Sequence, residues 1–353
     1  MSPPRVTIMA AGTGGHIFPG LAVAGTLRAR GADVRWLGTP TGLENRLVPA
    51  AGLELDRISI AGLRGRGALG WLLAPLRVVR AMLQARQIFR RQRPGCVLSM
   101  GGYVAGPGGV MARLMGIPLV IHEQNALPGL TNRLLRPLAE RVFGGFPNGL
   151  RAAVHSGNPV RADILSLPAP AERARDRSGP LRLLVIGGSQ GSAALGRIVP
   201  QALALLAHSE RPRVLHQAGR QLEATRQEYA KCGVEAEIVE FVDDMAGAWA
   251  EAELAICRAG ALTVAELAAA GVASVLVPFP HAVDDHQTAN ARYLTEAGAA
   301  WLEPEQALTP ERLAARLTEV DRAGLLDMAE RARSLARPTA AETVAEACLE
   351  VVR

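Results

Sequence analysis

Short apolar runs punctuate the chain at 6–10, 34–37, 96–99, 119–121, 181–186, 213–217, 237–241, 254–257 and 274–277. Runs of this length, mostly without polar alternation, predict strands buried on both faces. Between them lie longer stretches in which apolar residues return every three or four positions, as Leu21, Val23, Ala24 and Leu27 do before Gly31, and these predict helices. Repeated strand–helix alternation specifies parallel sheets covered by helices, an α/β class. The unit of strand, glycine-rich turn and helix begins twice. It occurs first at Gly12, Gly14 and Gly15, and again at Gly187, Gly188, Ser189, Gln190 and Gly191 after the Pro- and Ala-rich stretch LSLPAPAERARDRSGP, 165–180. Two Rossmann-like domains facing each other across a cleft are expected, with ligands at the carboxyl ends of the strands.

Composition narrows the classes without changing that picture. With 353 residues, 49% hydrophobic and 20% charged, the chain is long enough for two cores and has the balance of an ordinary globular protein. No apolar run approaches the roughly 18 residues of a membrane span, and a secretory leader is not expected. Cys96, Cys232, Cys257 and Cys348 show no metal or redox spacing, which fits a reducing cytoplasm.

Charge is more informative. The net charge is +6, and from Arg57 through His122 there is no Asp, Glu or Lys, while Arg64, Arg66, Arg77, Arg80, Arg86, Arg90, Arg91, Arg93 and Arg113 fall there. An anionic partner is implied. Nucleic acid is disfavoured, since aromatics are few and no binding motif accompanies the charge. Within 72–91, Leu72, Leu76, Val79 and Leu83 share one side of a helical wheel, Val78, Met82 and Phe89 form a second strip, and Arg77, Arg80 and Arg91 share an edge. Core packing with a solvated edge is one reading of that helix, and docking on an anionic bilayer is the other.

Neither glycine loop is a nucleotide fingerprint. Ile17 stands where a third glycine would complete the dinucleotide motif, and no P-loop lysine follows. What remains is close backbone approach and the anion affinity of a helix start. His16, just past the first strand, is placed to act as a general base or simply to pack, and Pro19 fits the first turn of the helix. His122, Glu123, Gln124 and Asn125 set four polar side chains at the end of another strand. Thr263 and Glu266 have capping-box spacing, and the same stretch could instead place helix amides at a diphosphate and Glu266 at a ribose diol. Asp284, Asp285, His286 and Gln287 mark a further helix start. No Asp-x-Asp occurs and no metal ligand set is expected, so a diphosphate would be neutralised by helix termini and Arg.

Taken in order, GTGGHIFPGLAVA, RWLGT, GLRGRG, MGGYVAGPGG, HEQNALPGLTN, GNPVR, GGSQG, CRAGALTVAE and DDHQTANA resemble the MurG family of bacterial glycosyltransferases, over about residues 6 to 335. The resemblance implies the GT-B fold. It places an acceptor- and membrane-associating domain at 1–162, with a C-terminal helix over 337–353 packing back on it, and a UDP-N-acetylglucosamine-binding domain at 163–336. It implies inverting, metal-independent transfer of N-acetylglucosamine to the muramyl 4-hydroxyl of lipid I, the undecaprenyl-diphosphate-linked muramyl-pentapeptide, giving lipid II, with no cofactor. Carried over by position, it sets the Val242 backbone at uracil and Glu266 at ribose. Ser189 and the helix start at Ala261, Leu262, Thr263, Val264 and Ala265 fall at the diphosphate, and Arg161 and Gln287 also on the donor. Thr13, Gly14, Gly15 and Asn125 complete the sugar and acceptor side. His16 and Glu123 are both candidates to activate the acceptor hydroxyl.

Peripheral attachment to the cytoplasmic face of the inner membrane follows from the lipid-linked acceptor, with proteins of cell-wall assembly as further partners. Two departures from the family pattern are Ala11, commonly glycine, and His286, in some members Gln. An ordinary backbone angle would accommodate the Ala11 methyl. A sugar-nucleotide epimerase, a transferase with another acceptor and a catalytically silent binding protein are the alternatives.

Overall fold

The computed structural model describes residues 3–60, 74–147, 149–188 and 190–352. Over these the chain divides into two compact units, Met1–Arg161 with Arg337–Arg353, and Ala162–Ala336.

The first unit is built on a seven-stranded sheet in the order β3-β2-β1-β4-β5-β6-β7, parallel throughout. Its strands are β1 Arg5–Met9, β2 Asp33–Gly38, β3 Glu54–Arg57, β4 Cys96–Ser99, β5 Leu119–Glu123, β6 Arg141–Gly144 and β7 Val154–His155. β1 is central, with Ile8 in register with Trp36 on one side and Leu98 on the other. The chain reverses its direction of strand addition between β1 and β4, so the loops after these two strands part there and leave a crevice at their carboxyl ends. β3, β6 and β7 lack the apolar run that marks the inner strands. β3 is ELDR and β7 only two residues, because outer strands need less apolar sequence.

Helix Gly14–Ala29 begins directly at the glycines, earlier than its first periodic apolar residue. Pro19 therefore lies in the second turn and not the first, a correction to the sequence reading. Gly20 lets this helix close on Trp36, since a Cβ there would lie 2.7 Å from the indole. The C-terminal helix Ala340–Glu350 completes the same core, where Val344, Ala345 and Cys348 pack with Val23, Leu27 and Trp36.

On the other face, helix Ala74–Gln92 buries Ala81, Ala85, Ile88 and Phe89. It leaves Leu76, Val79 and Leu83 exposed at 68, 53 and 57%. Of the two apolar strips, the one with Phe89 is core and the one with Leu76 is surface; Leu72 and the GLRGRG segment lie outside the described residues.

The second unit repeats the plan with a six-stranded parallel sheet, β10-β9-β8-β11-β12-β13. Its strands are β8 Arg182–Ile186, β9 Arg213–Gln217, β10 Glu237–Val239, β11 Leu254–Cys257, β12 Ala273–Leu276 and β13 Ala300–Leu302. Here the reversal falls between β8 and β11, which sets the 187–192 and 258–260 loops at the switch point.

Candidate active site

In the first unit the site is assembled from the loops after β1, β4 and β5. Gly12 takes a left-handed φ of +96°, which turns the chain from β1 into the helix. Its amide donates to Glu44 Oε2 at 3.1 Å, and the fully buried Glu44 carboxylate also accepts from the Thr39 amide at 3.1 Å and hydroxyl at 2.6 Å. Glu44, on helix Glu44–Ala50, thus holds the loop from behind, and nothing in its spacing pointed to this. Ala11 is not among the left-handed residues, so its methyl is accommodated as expected. Thr13 is the N-cap, extended at φ −100° and ψ 158°, with its side chain making no cap bond. The first-turn amides of Gly14 and Gly15 follow it, in the position that favours an anion.

His16 sits in that first turn, half-buried. Its Nδ1 is 2.7 Å from Gln124 Oε1. The loop after β4 passes against the imidazole at Gly101, φ +93°, where a Cβ would lie 3.1 Å from His16 Cε1.

Strand alternation divides the HEQN run at the end of β5. His122 and Gln124 form one group. Gln124 Nε2 lies 3.0 Å from both the His122 carbonyl oxygen and His122 Nδ1, and His122 Nε2 lies 2.9 Å from the Gly157 carbonyl oxygen. His122 is fully buried, which pushes its pKa down to about 4 and keeps it neutral.

Glu123 belongs to the other group. Only 3% exposed, it accepts from the Asn125 amide at 3.0 Å, Asn125 Nδ2 at 3.3 Å, the Gly129 amide at 3.0 Å and Asn132 Nδ2 at 2.9 Å. Four donors on two oxygens engage the carboxylate and tie the 125–132 segment to β5.

Arg161 also belongs to the first unit, its guanidinium 5.6 Å from the centroid of Phe18, two residues past His16.

The candidate donor residues lie in the second unit. Helix Ala261–Ala270 starts at Gly260, φ −64° and ψ 144°, with no side-chain cap and no acid in its first turn. Thr263 and Glu266 do not form a capping box, because Gly260 is the N-cap and both residues lie inside the helix. Ala261, Leu262 and Thr263 form its first turn, and the intrahelical ladder begins with Val264, whose amide donates to the Gly260 carbonyl oxygen, and Ala265.

Glu266, buried on the same helix, accepts from Trp249 Nε1 at 3.2 Å. Trp249 is wholly buried on helix Met245–Glu251, which Asp244 caps by accepting from the Gly247 amide at 2.8 Å. Val242, mostly buried, lies just before that cap. Trp249 escaped the sequence reading, since a single aromatic in an alanine-rich stretch signals only core. Ser189 lies outside the described residues; Gly191 has a φ of +73°, and a Cβ there would overlap the Ala218 carbonyl oxygen.

Gln287 Oε1 accepts from the Phe279 amide at 2.9 Å, leaving its Nε2 as the donor end. It follows Asp284 and Asp285, two consecutive non-glycine residues held left-handed at φ 54° and 52°, and His286 opens helix His286–Thr295. Strain of this kind persists where the surrounding structure imposes it, often at sites of function. Among the described residues no three His, Cys, Asp or Glu side chains come together as a metal-ligand set.

Comparison with known proteins bears on this arrangement. Residues 6–144 match the glycosyltransferase family 28 N-terminal domain, and 182–347 match the glycosyltransferase family 28 C-terminal domain. The chain is 56% identical over 354 residues to the UDP-N-acetylglucosamine--N-acetylmuramyl-(pentapeptide) pyrophosphoryl-undecaprenol N-acetylglucosamine transferase of Bordetella parapertussis, covering 100% of this chain and 99% of the relative. It is 54% identical over 349 residues to the protein of the same name from Dechloromonas aromatica, covering 99% of each. The crystal structure of Acinetobacter baumannii MurG superposes with a TM-score of 0.84 at 43% identity, over 99% of this chain and 100% of that one. Two Rossmann-like parallel sheets, glycine turns at both switch points and full-length identity above one half lead to one conclusion: the chain belongs to glycosyltransferase family 28, the MurG family of GT-B glycosyltransferases.

Proposed function

We propose that this protein transfers N-acetylglucosamine from UDP-N-acetylglucosamine to the muramyl 4-hydroxyl of lipid I, yielding lipid II, by a single inverting displacement. The full-length match to transferases bearing that name carries the reading. His16 is the base. Its Nδ1 is engaged by Gln124, which leaves Nε2 to take the proton from the acceptor hydroxyl as that oxygen attacks the anomeric carbon. Glu123 is the anchor of the 125–132 segment, since its acceptor capacity is already committed to four donors.

On the donor side, the departing diphosphate meets the helix start at Ala261, Leu262 and Thr263, with Val264 and Ala265 behind them and Ser189 as a further contact. Glu266, oriented by Trp249, accepts from the ribose hydroxyls, the Val242 backbone pairs with uracil, and Gln287 Nε2 donates to the sugar. Arg161 supplies a cation for the donor. Thr13, Gly14, Gly15 and Asn125 hold the sugars on the acceptor side. The displacement uses no cofactor and no metal.

No helix among the described residues is long and apolar enough to cross a membrane. Attachment is peripheral, at the cytoplasmic face: Leu76, Val79 and Leu83 enter the interface while Arg80, Arg86 and Arg90 of the same helix meet anionic headgroups.

The test is transfer of labelled N-acetylglucosamine to a lipid I analogue in the presence of a chelator, with His16→Ala alongside. Transfer that survives chelation and falls roughly 10²- to 10⁴-fold in the variant is expected. A protein that binds UDP-N-acetylglucosamine yet transfers nothing to the analogue would overturn the assigned acceptor.

A further inference from the structure

The side chains of Gln124 and His122 form a hydrogen-bond chain that ends on the His16 ring, and what His122 and the two ends of the Gln124 amide do in it is not yet accounted for. The direction of every proton in that chain can be worked out from its far end. The Gly157 carbonyl can only accept, so His122 Nε2, 2.9 Å away, carries a proton. His122 is neutral, buried without exposure, so its Nδ1 is bare and accepts. Gln124 presents one end to this Nδ1 and to the His122 carbonyl oxygen, both at 3.0 Å. Two acceptors fix that end as the NH2 group. The carbonyl end of Gln124 therefore faces His16, and at 2.7 Å it requires a proton on His16 Nδ1.

We propose that Gln124, set by His122 against the Gly157 carbonyl, is a positioning residue that holds His16 in the Nδ1–H tautomer with Nε2 unprotonated and open to a hydroxyl. An amide in this place fixes tautomer and ring orientation without adding charge beside the base. The one carboxylate of the HEQN run, Glu123, is turned to the opposite side of β5 and committed to Asn125, Gly129 and Asn132. Arg161 lies over Phe18, and Glu44 is engaged by Gly12 and Thr39. Gly101 is part of the device, since a Cβ there would lie 3.1 Å from His16 Cε1 and 3.2 Å from His16 Nδ1 and would crowd the ring where it meets Gln124.

The proposal deepens the reading of His16 as the base, and its first test is independent of any substrate. In the free protein labelled with 15N-histidine, long-range 1H–15N correlations should show His16 protonated at Nδ1 and His122 at Nε2 above pH 7. In Gln124→Met, which keeps the volume and removes both bonding ends, the His16 preference for Nδ1–H should be lost. The same variant should lower kcat by about 10²-fold while the KM for UDP-N-acetylglucosamine stays unchanged.

A wild-type His16 protonated at Nε2 overturns the proposal whatever the variant does. So does a Gln124→Met protein with wild-type tautomer and kcat. The expected tautomer together with no transfer to a lipid I analogue would uphold the relay and overturn the acceptor assignment instead.

Discussion

Replacing Glu123 by Gln separates an anchoring carboxylate from a catalytic one. The carboxylate accepts four hydrogen bonds, at 3.0, 3.3, 3.0 and 2.9 Å, in a site only 3% exposed. The amide keeps one oxygen for two of those donors and turns an NH2 toward the other two. If that end faces Gly129 and Asn132, Asn132 can reverse its own amide, because its Oδ1 is buried with no hydrogen-bond partner. The Gly129 amide has no such recourse and exchanges the carboxylate for water, since Gly129 is exposed. A hydrogen bond to a charged acceptor contributes about 1.5–3 kcal/mol. One such bond lost and one remade give a net loss of about 2 kcal/mol. For a unit of this size that lowers its melting temperature by roughly 6 °C.

Calorimetry on Glu123→Gln and His16→Ala, with kcat measured well below both transitions, makes the comparison. The first should melt early with less than about a tenfold loss of kcat, and the second should melt near the parent with a loss of roughly 10²- to 10⁴-fold. A Glu123→Gln protein that melts with the parent and loses as much kcat as His16→Ala would refute the assignment and make Glu123 the base.

Other expectations follow from the same geometry. His122 and His216, in different units, are each held at a pKa of about 4 by burial, below the usual 6.5. Both bind protons more readily when unfolded, so the stability they contribute is present above pH 6.5 and is lost as pH falls toward 4, by about 3 kcal/mol each; denaturation midpoints that stay flat across that window would contradict this. Trp249→Phe removes the 3.2 Å bond to Glu266 and should raise the KM for UDP-N-acetylglucosamine about 2- to 10-fold with kcat unchanged, as steady-state kinetics would reveal. Gly102→Ala combines a φ of +82° with a Cβ 2.7 Å from the Ala11 carbonyl oxygen, and should destabilise the first unit by about 3 kcal/mol or more in a denaturant titration. Changing Leu76, Val79 and Leu83 together to Ser should leave the melting temperature alone and weaken sedimentation with anionic vesicles at least about tenfold; equal binding would remove that helix from the membrane assignment.

The inner strands, the two glycine turns and the pairing of two similar α/β units were legible from the residues alone. These features are written locally: β1, β4, β5, β8 and β11 are continuous apolar runs because both their faces are covered, and glycine marks the turns that need left-handed backbone. The outer strands β3 and β7 were not legible, since a mixed ELDR or a dipeptide becomes a strand only when a neighbour offers an edge.

Tertiary structure alone decided the rest. HEQN announced a polar cluster at the end of a strand. It did not reveal that alternate residues part company, Glu123 closing on Gly129 and Asn132 while His122 reaches Gly157 and Gln124 reaches His16, 108 positions away. Nor did the helix over 74–92 say which of its apolar strips would be core, a choice made by the sheet it packs against. Composition and period describe what a segment can bury or donate. The hydrogen-bond partner that fixes a proton on one ring nitrogen is set by chain segments far apart in sequence, and only the folded chain brings them within 3 Å.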